Sequence, residues 1–160
     1  MSTELMVGVL LLVSSHLSQP VTTLIPVAHA QEVMQTTIDK NSQAQQVTSL
    51  VAAIKQVESG GNYQARGQSG EQGAYQIMPG TWHTWAKQYL GNAYAPMTKT
   101  NQDRVATKHV ESLIQQGYSP FEVALIWNGG EPRIKKGMTA SGVQYDSGAY
   151  ARKIVALLPS

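Results

Sequence analysis

Glu58 closes an apolar-periodic stretch and is followed at once by Ser59 and the glycine pair Gly60-Gly61. A carboxylate at the C-terminal end of a helix faces the negative end of the helix dipole, an unfavourable contact of about 0.3–1 kcal/mol. Apolar neighbours such as Val57 and the tryptophans would strip water from it as well. Both effects favour the neutral acid and move its pKa upward. A carboxyl group still protonated near neutral pH is what cleavage of a glycosidic bond requires, because the leaving oxygen must take up a proton as its bond to carbon breaks. A solvated glutamate beside a glycine cap is the plain alternative, and the surrounding residues decide between the two.

Several elements must position this group. Leu50, Val51, Ile54 and Val57 recur at helical spacing and predict a first helix over 47–58, ended by Gly60 and Gly61. Thr81, after Pro79-Gly80, is the expected N-cap of a second helix that carries Trp82, Trp85, Tyr89 and Leu90 and stops at Gly91. Asn101 is the expected cap of a third, with Val105, Val110, Leu113 and Ile114 facing inward and Gly117 just past its end. Ser119-Pro120-Phe121-Glu122 spells a fuller start: Ser caps, Pro takes the first helical position, and Glu reaches back as a capping box. That fourth helix runs through Val123, Leu125 and Ile126 to Trp127-Asn128-Gly129-Gly130. A last helix, capped near Asp146 or Ser147, carries Tyr150, Ile154, Val155 and Leu158. No run alternates like a strand and nothing repeats, so the fold class is mainly α.

Length and composition set the frame. The chain has 160 residues and no cysteine, which fits one domain able to bury its own core without disulfides and excludes thiol catalysis. Leu5 to Val13 is an apolar run shorter than the ~20 residues of a membrane span. Ala28 and Ala30 then offer an A-x-A cleavage pattern, so residues 1–30 are expected to be an export signal cut after Ala30, leaving no stable membrane insertion. Cleavage would remove Glu4 and no basic residue, leaving twelve basic against nine acidic side chains, a net +3. That charge suits an anionic surface such as a bacterial wall and is too weak to argue for nucleic acid. Residues 31–46 are polar and read as a flexible lead-in, with the globular domain over 47–160. The basic run Arg133-Ile134-Lys135-Lys136 reads as a solvated loop.

Three ordered motifs go further. The segment E-S-x-x-N-x-x-A from Glu58 to Ala65, followed by G-x-x-G-x-x-Q-I-M-P from Gly70 to Pro79, resembles the soluble lytic transglycosylase branch of the lysozyme-like superfamily. There a catalytic Glu-Ser pair is followed by an irregular loop and a G-L-M-Q-I-M-P-like segment. Trp127-Asn128-Gly129-Gly130 is similar to its Tyr-Asn-Ala-Gly motif, and Tyr150 in GAYARKI is similar to the tyrosine of its last helix. Together these cover residues 47–158. Ala74-Tyr75 stands where Leu-Met is usual and Trp127 where tyrosine is usual, which bears on fine specificity more than on the reaction.

The resemblance implies a lysozyme-like helical domain of the goose-type or lytic transglycosylase kind, with an irregular active-site loop. It implies Glu58 as single general acid and then base, with Ser59, Gln76, Met78, Asn128 and Tyr150 lining a saccharide groove. Gln76 and Asn128 have amides suited to acetamido groups, while Tyr75, Trp127 and Tyr150 offer flat faces for sugar rings. Core packing for Met78 and Trp127, and a helix end for Asn128, are the competing readings. Glu71, Asp103, Glu122 and Asp146 are the candidates for a second carboxylate, which a hydrolase would use. Of these, Glu71 alone is in the loop beside the motif, where an exposed side chain is the simpler description. The resemblance implies none is required: the C6 hydroxyl of N-acetylmuramic acid attacks its own anomeric carbon and leaves a 1,6-anhydro end.

Nothing else in the sequence competes. His83 and His109 lack metal-ligand spacing, and His16 and His29 fall in the expected signal. The glycine-rich loop from Gly67 to Gly73 lacks the G-K-[ST] ending of a phosphate loop. No metal and no cofactor is expected. The expected partner is the glycan strand of peptidoglycan, acted on by a monomer that is secreted, wall-associated, or periplasmic in a Gram-negative source. A hydrolytic muramidase using Glu71 or Asp146 to position water, or a catalytically weak peptidoglycan-binding protein, are the alternatives.

Overall fold

The computed structural model describes residues 27–138, 142 and 144–159. The apolar run Leu5 to Val13 and most of the expected export signal lie outside them. In chain order the elements are α1 (Val27–Ser59), α2 (Pro79–Leu90), α3 (Lys99–Gln115), α4 (Pro120–Gly129), β1 (Lys136–Met138), β2 (Gln144–Asp146) and α5 (Ser147–Val155). No helix among the described residues is long and apolar enough to cross a membrane.

Helix α1 differs most from the sequence reading. It begins at Val27 rather than 47, and residues 31–46, expected as a flexible lead-in, are helical. From Val27 to Ser59 the chain contains neither Gly nor Pro, so nothing interrupts the hydrogen-bond ladder. Side chains add local support: Thr36 and Thr37 donate back to the carbonyls of Glu32 and Val33, and Gln35 donates to Asp39 at 3.0 Å. Polarity kept this half out of the core, since Val33, Met34 and Ile38 are all exposed. Burial starts at Val47, and Leu50 and Ile54 are fully enclosed. Gly60 and Gly61, both in left-handed conformation, then stop the helix.

The apolar helix α4, with Val123, Ala124 and Leu125 buried, packs chiefly on α5, while α1 and α2 both pack on α3. The Ser119–Glu122 capping box forms as expected, and Asp146 caps α5 through a bond from the Ala149 amide. Two caps shift. Pro79 is at the first position of α2 with Met78, not Thr81, before it, and Thr98 rather than Asn101 caps α3, accepting from the Asn101 amide.

A short antiparallel pair joins α4 to α5, with Lys136 opposite Asp146 and Gly137 opposite Tyr145. The sequence reading expected no strand; three mostly exposed residues a side carry no alternating pattern to see. The basic run before it is paired rather than free. Arg133 and Lys135 bind Glu131, Lys136 binds Asp146, and Lys135 also donates to the Gly129 carbonyl at 3.1 Å.

Candidate active site

Between α1 and α2 the chain forms an irregular loop built on itself. Gln72 and Ile77 exchange backbone bonds of 3.0 Å, and the Gly73 amide donates to the Ala65 carbonyl at 2.9 Å. The loop is tied to both neighbouring elements. The Ser59 hydroxyl, at the end of α1, donates to the Ala74 carbonyl at 2.8 Å and accepts from the Asn62 amide at 3.0 Å. From α3, the buried carboxamide of Gln102 accepts from the Ala74 amide at 2.8 Å and donates to the carbonyls of Met97 and Tyr63. Gly73 sits against that carboxamide with φ +77, and a Cβ there would collide with Gln102 Oε1. Asp103, next in α3, accepts from the Tyr75 hydroxyl at 2.7 Å and the Tyr63 hydroxyl at 2.8 Å, with Lys55 alongside at 3.6 Å. Burial alone would raise the Asp103 pKa, but these phenols and the ammonium group outweigh it and hold it low.

These ties orient Gln76. Its neighbours Ala74, Tyr75 and Ile77 point into the core, while Gln76 takes a left-handed φ of +47. That conformation is uncommon for a residue with a side chain, and it has a cost the loop must bear. It turns the carboxamide away from the core, where Nε2 donates to the Gly73 carbonyl at 2.8 Å.

The cleft that results has a volume of about 500 Å³. Glu58, Glu71 and Gln76 line it together with Met78, Thr81 and Trp85 from the start of α2 and Trp127 and Asn128 from the end of α4. Glu58 reaches it from the last turn of α1. Burial pushes the Glu58 carboxyl above the ordinary glutamate range. A hydrogen bond from Tyr150, and to a smaller extent the Trp127 side chain, pull it back, and the charge of Glu71 adds an upward push. The Tyr150 hydroxyl, carried by α5, donates to Glu58 Oε1 at 2.7 Å. Trp127 and Trp85 stand 5.3 Å apart at 53° and form an aromatic wall.

Five of the eight residues expected at the site, Glu58, Gln76, Met78, Trp127 and Asn128, therefore line one cleft, and Tyr150 touches Glu58 directly. Two do not. Tyr75 is 1% exposed, so its ring cannot meet a sugar; it packs against Trp127 at 6.2 Å and anchors the loop through Asp103. Ser59 is a tether between helix end and loop. Among the four candidate second carboxylates, only Glu71 is in the cleft. It is not a loose loop side chain: its carbonyl accepts from the Gly67 amide at 2.8 Å and its carboxylate from the Ser69 amide at 3.0 Å. Asp103 is occupied by the tyrosines, Glu122 by its cap, and Asp146 by the α5 cap and Lys136.

Trp85 and Thr81 were not expected at the site. The signal was there, since Met78, Thr81 and Trp85 follow i, i+3, i+7 spacing and share one helix face. Among the described residues no group of three or more side chains suited to a metal comes together. The arrangement can deliver a proton from a shielded carboxylic acid, pair with amides through Gln76 and Asn128, and stack flat rings on two indoles.

Compared with known families, the chain matches the model of the transglycosylase SLT domain over residues 35–147. Neither the curated proteins nor the solved structures gave a match.

Proposed function

The chain belongs to the transglycosylase SLT domain family of the lysozyme-like superfamily, a family that cleaves glycosidic bonds of peptidoglycan, and from that premise we propose that it is a lytic transglycosylase. The bond cut is the β-1,4 link between N-acetylmuramic acid and N-acetylglucosamine. Glu58 gives its proton to the glycosidic oxygen as the bond to the anomeric carbon breaks. It then takes the proton of the C6 hydroxyl of the same muramic residue as that oxygen attacks the anomeric carbon. Protons balance, water is not consumed, and a 1,6-anhydro end remains. The observation that carries this reading is the position of Glu58: desolvated, with its pKa raised, at the wall of a cleft lined by amides and indoles.

Glu71 favours a second reading, a hydrolytic muramidase, because it is a carboxylate held in the same cleft. Its amide-bound oxygen would have to recruit water opposite Glu58. The products separate the two. Purified sacculi treated with residues 31–160 should release fragments one water lighter than hydrolytic ones, and Glu58→Gln should release them at least about a hundredfold more slowly. Reducing-end fragments would establish the muramidase instead, and sacculus binding without release would make this a binding protein. We also propose export of the protein, with action as a monomer on the outer side of the cytoplasmic membrane. N-terminal sequencing of secreted material should begin at Gln31, and retention of the first thirty residues would overturn the cleavage.

A further inference from the structure

His109 lies on α3 behind the aromatic wall of the cleft, and no step proposed above uses it. Its ring stacks on Trp85 with centroids 3.9 Å apart and planes inclined by 25°, and it meets Trp127 at 5.9 Å and 58°. On α2, Tyr89 meets the imidazole edge-on at 6.1 Å, with its hydroxyl 3.1 Å from Nδ1. The imidazole is thus in contact with both indoles of the cleft and with a phenol that fixes its rotation. We propose that His109 is a positioning residue that braces Trp85 and Trp127 at the angle at which they receive sugar rings.

This rests on the glycan-cleaving reading, and its logic is mechanical. Indole rings that wall an open cleft have cleft space on one side and need packing on the other. A flat ring stacked behind Trp85 supplies that packing, and aromatic contacts of this kind change an equilibrium roughly two- to twelvefold. A phenyl ring at the same place would stack but would lose the hydrogen bond with Tyr89. An alanine would leave a hole into which Trp85 can tilt, misaligning the surface before substrate arrives.

The contact carries its own signature. Burial holds the imidazole neutral down to about pH 4. The titratable group facing it is the Tyr89 phenol from α2, itself pushed up by burial; Trp85 from α2 and Trp127 from α4 present uncharged indoles. Once protonated, His109 places a cation against the Trp85 face, and an imidazolium in contact with an indole quenches its emission. The full chain should therefore lose tryptophan fluorescence as pH falls through about 4. That step should persist in Glu58→Gln and vanish in His109→Phe.

The deciding experiment pairs this titration with kinetics on soluble glycan fragments. His109→Ala is expected to raise KM roughly three- to tenfold, leave kcat within about twofold, and keep the wild-type circular dichroism, with His109→Phe recovering most of the loss. An unchanged KM in folded His109→Ala overturns the proposal, as does a fall in kcat alone. A fluorescence step that survives in His109→Phe overturns the contact on which it stands. If the wild type shows the step but neither binds nor cleaves glycan, the catalytic reading fails and this role fails with it, while the packing stands.

Discussion

A single hydrogen bond of 2.7 Å links the Tyr150 phenol to the Glu58 carboxyl. Burial raises the Glu58 pKa and this bond lowers it, with burial the stronger. Burial and the Glu58 charge also push the Tyr150 phenol up, beyond any working pH, so it stays a donor. In the role proposed for it, that of general acid, Glu58 would act only while protonated, so activity is expected to fall as pH rises through its pKa. Tyr150→Phe removes a contact that favours the charged form. The alkaline limb of the pH profile for sacculus clearing should therefore move to higher pH, and an unmoved limb would mean that another group titrates there. Glu58→Gln should cost about 10²–10⁴ in rate while making the fold more stable. The sign follows from linkage: a carboxyl whose folded pKa is raised loses stability as pH climbs from the ordinary value of about 4.3 through the folded one. The thermal midpoint of Glu58→Gln should exceed that of the wild type at pH 7, and the gain should disappear near pH 4 in paired calorimetric scans.

Helix α3 governs the active loop from a distance, through Gln102 and Asp103. Buried Gln102 satisfies the Ala74 amide inside the core and two half-buried carbonyls, of Tyr63 and Met97, at once. Gln102→Ala leaves those groups bare at about 1–3 kcal/mol for each unsatisfied partner. Urea unfolding should show at least that loss, with activity falling further than stability because Gln76 is two residues from the freed amide. Ser119→Ala provides the contrast: loss of the capping box should cost about 0.5–2 kcal/mol and leave kcat/KM of the folded enzyme unchanged. The two positions also differ in how readable they are. Ser119-Pro120-Phe121-Glu122 announces its helix because the cap is local chemistry. Gln102 looks like any polar residue of a helix, since two of its three partners, Ala74 and Tyr63, are 28 and 39 residues away. Locality explains the other differences too. Asn101 and Thr98 are both good caps, and Thr98 takes the role while Asn101 Nδ2 turns to the Pro96 carbonyl at 2.8 Å. Tyr75 has the right type for sugar stacking, but the left-handed turn at Gln76, which points one residue out and its neighbours in, is not written in residue types.

At the scale of the whole molecule the motifs in order conveyed the lysozyme-like helical domain, because each is tied to a helix: Glu58 and Asn128 at the ends of α1 and α4, Tyr150 within α5. What they could not convey is how far α1 extends. Polar composition says only that a segment avoids the core, and a polar segment free of Gly and Pro can still be helical. Whether residues 31–42 serve the fold is open to a direct test. Their side chains are all exposed, and their visible bonds run within α1 itself. The core begins at Val47, whereas the family match begins at residue 35. If burial decides, a chain starting at residue 43 keeps the whole core and should lose no more than about 0.5 kcal/mol, or about 2–3 °C in Tm. Its rate of sacculus clearing should equal that of residues 31–160, since no cleft residue lies in the deleted part. A larger drop in Tm by calorimetry would mean that the polar half of α1 stabilises the domain through its length. An unchanged Tm with slower clearing of sacculi but not of soluble fragments would instead assign the exposed half to contact with the wall.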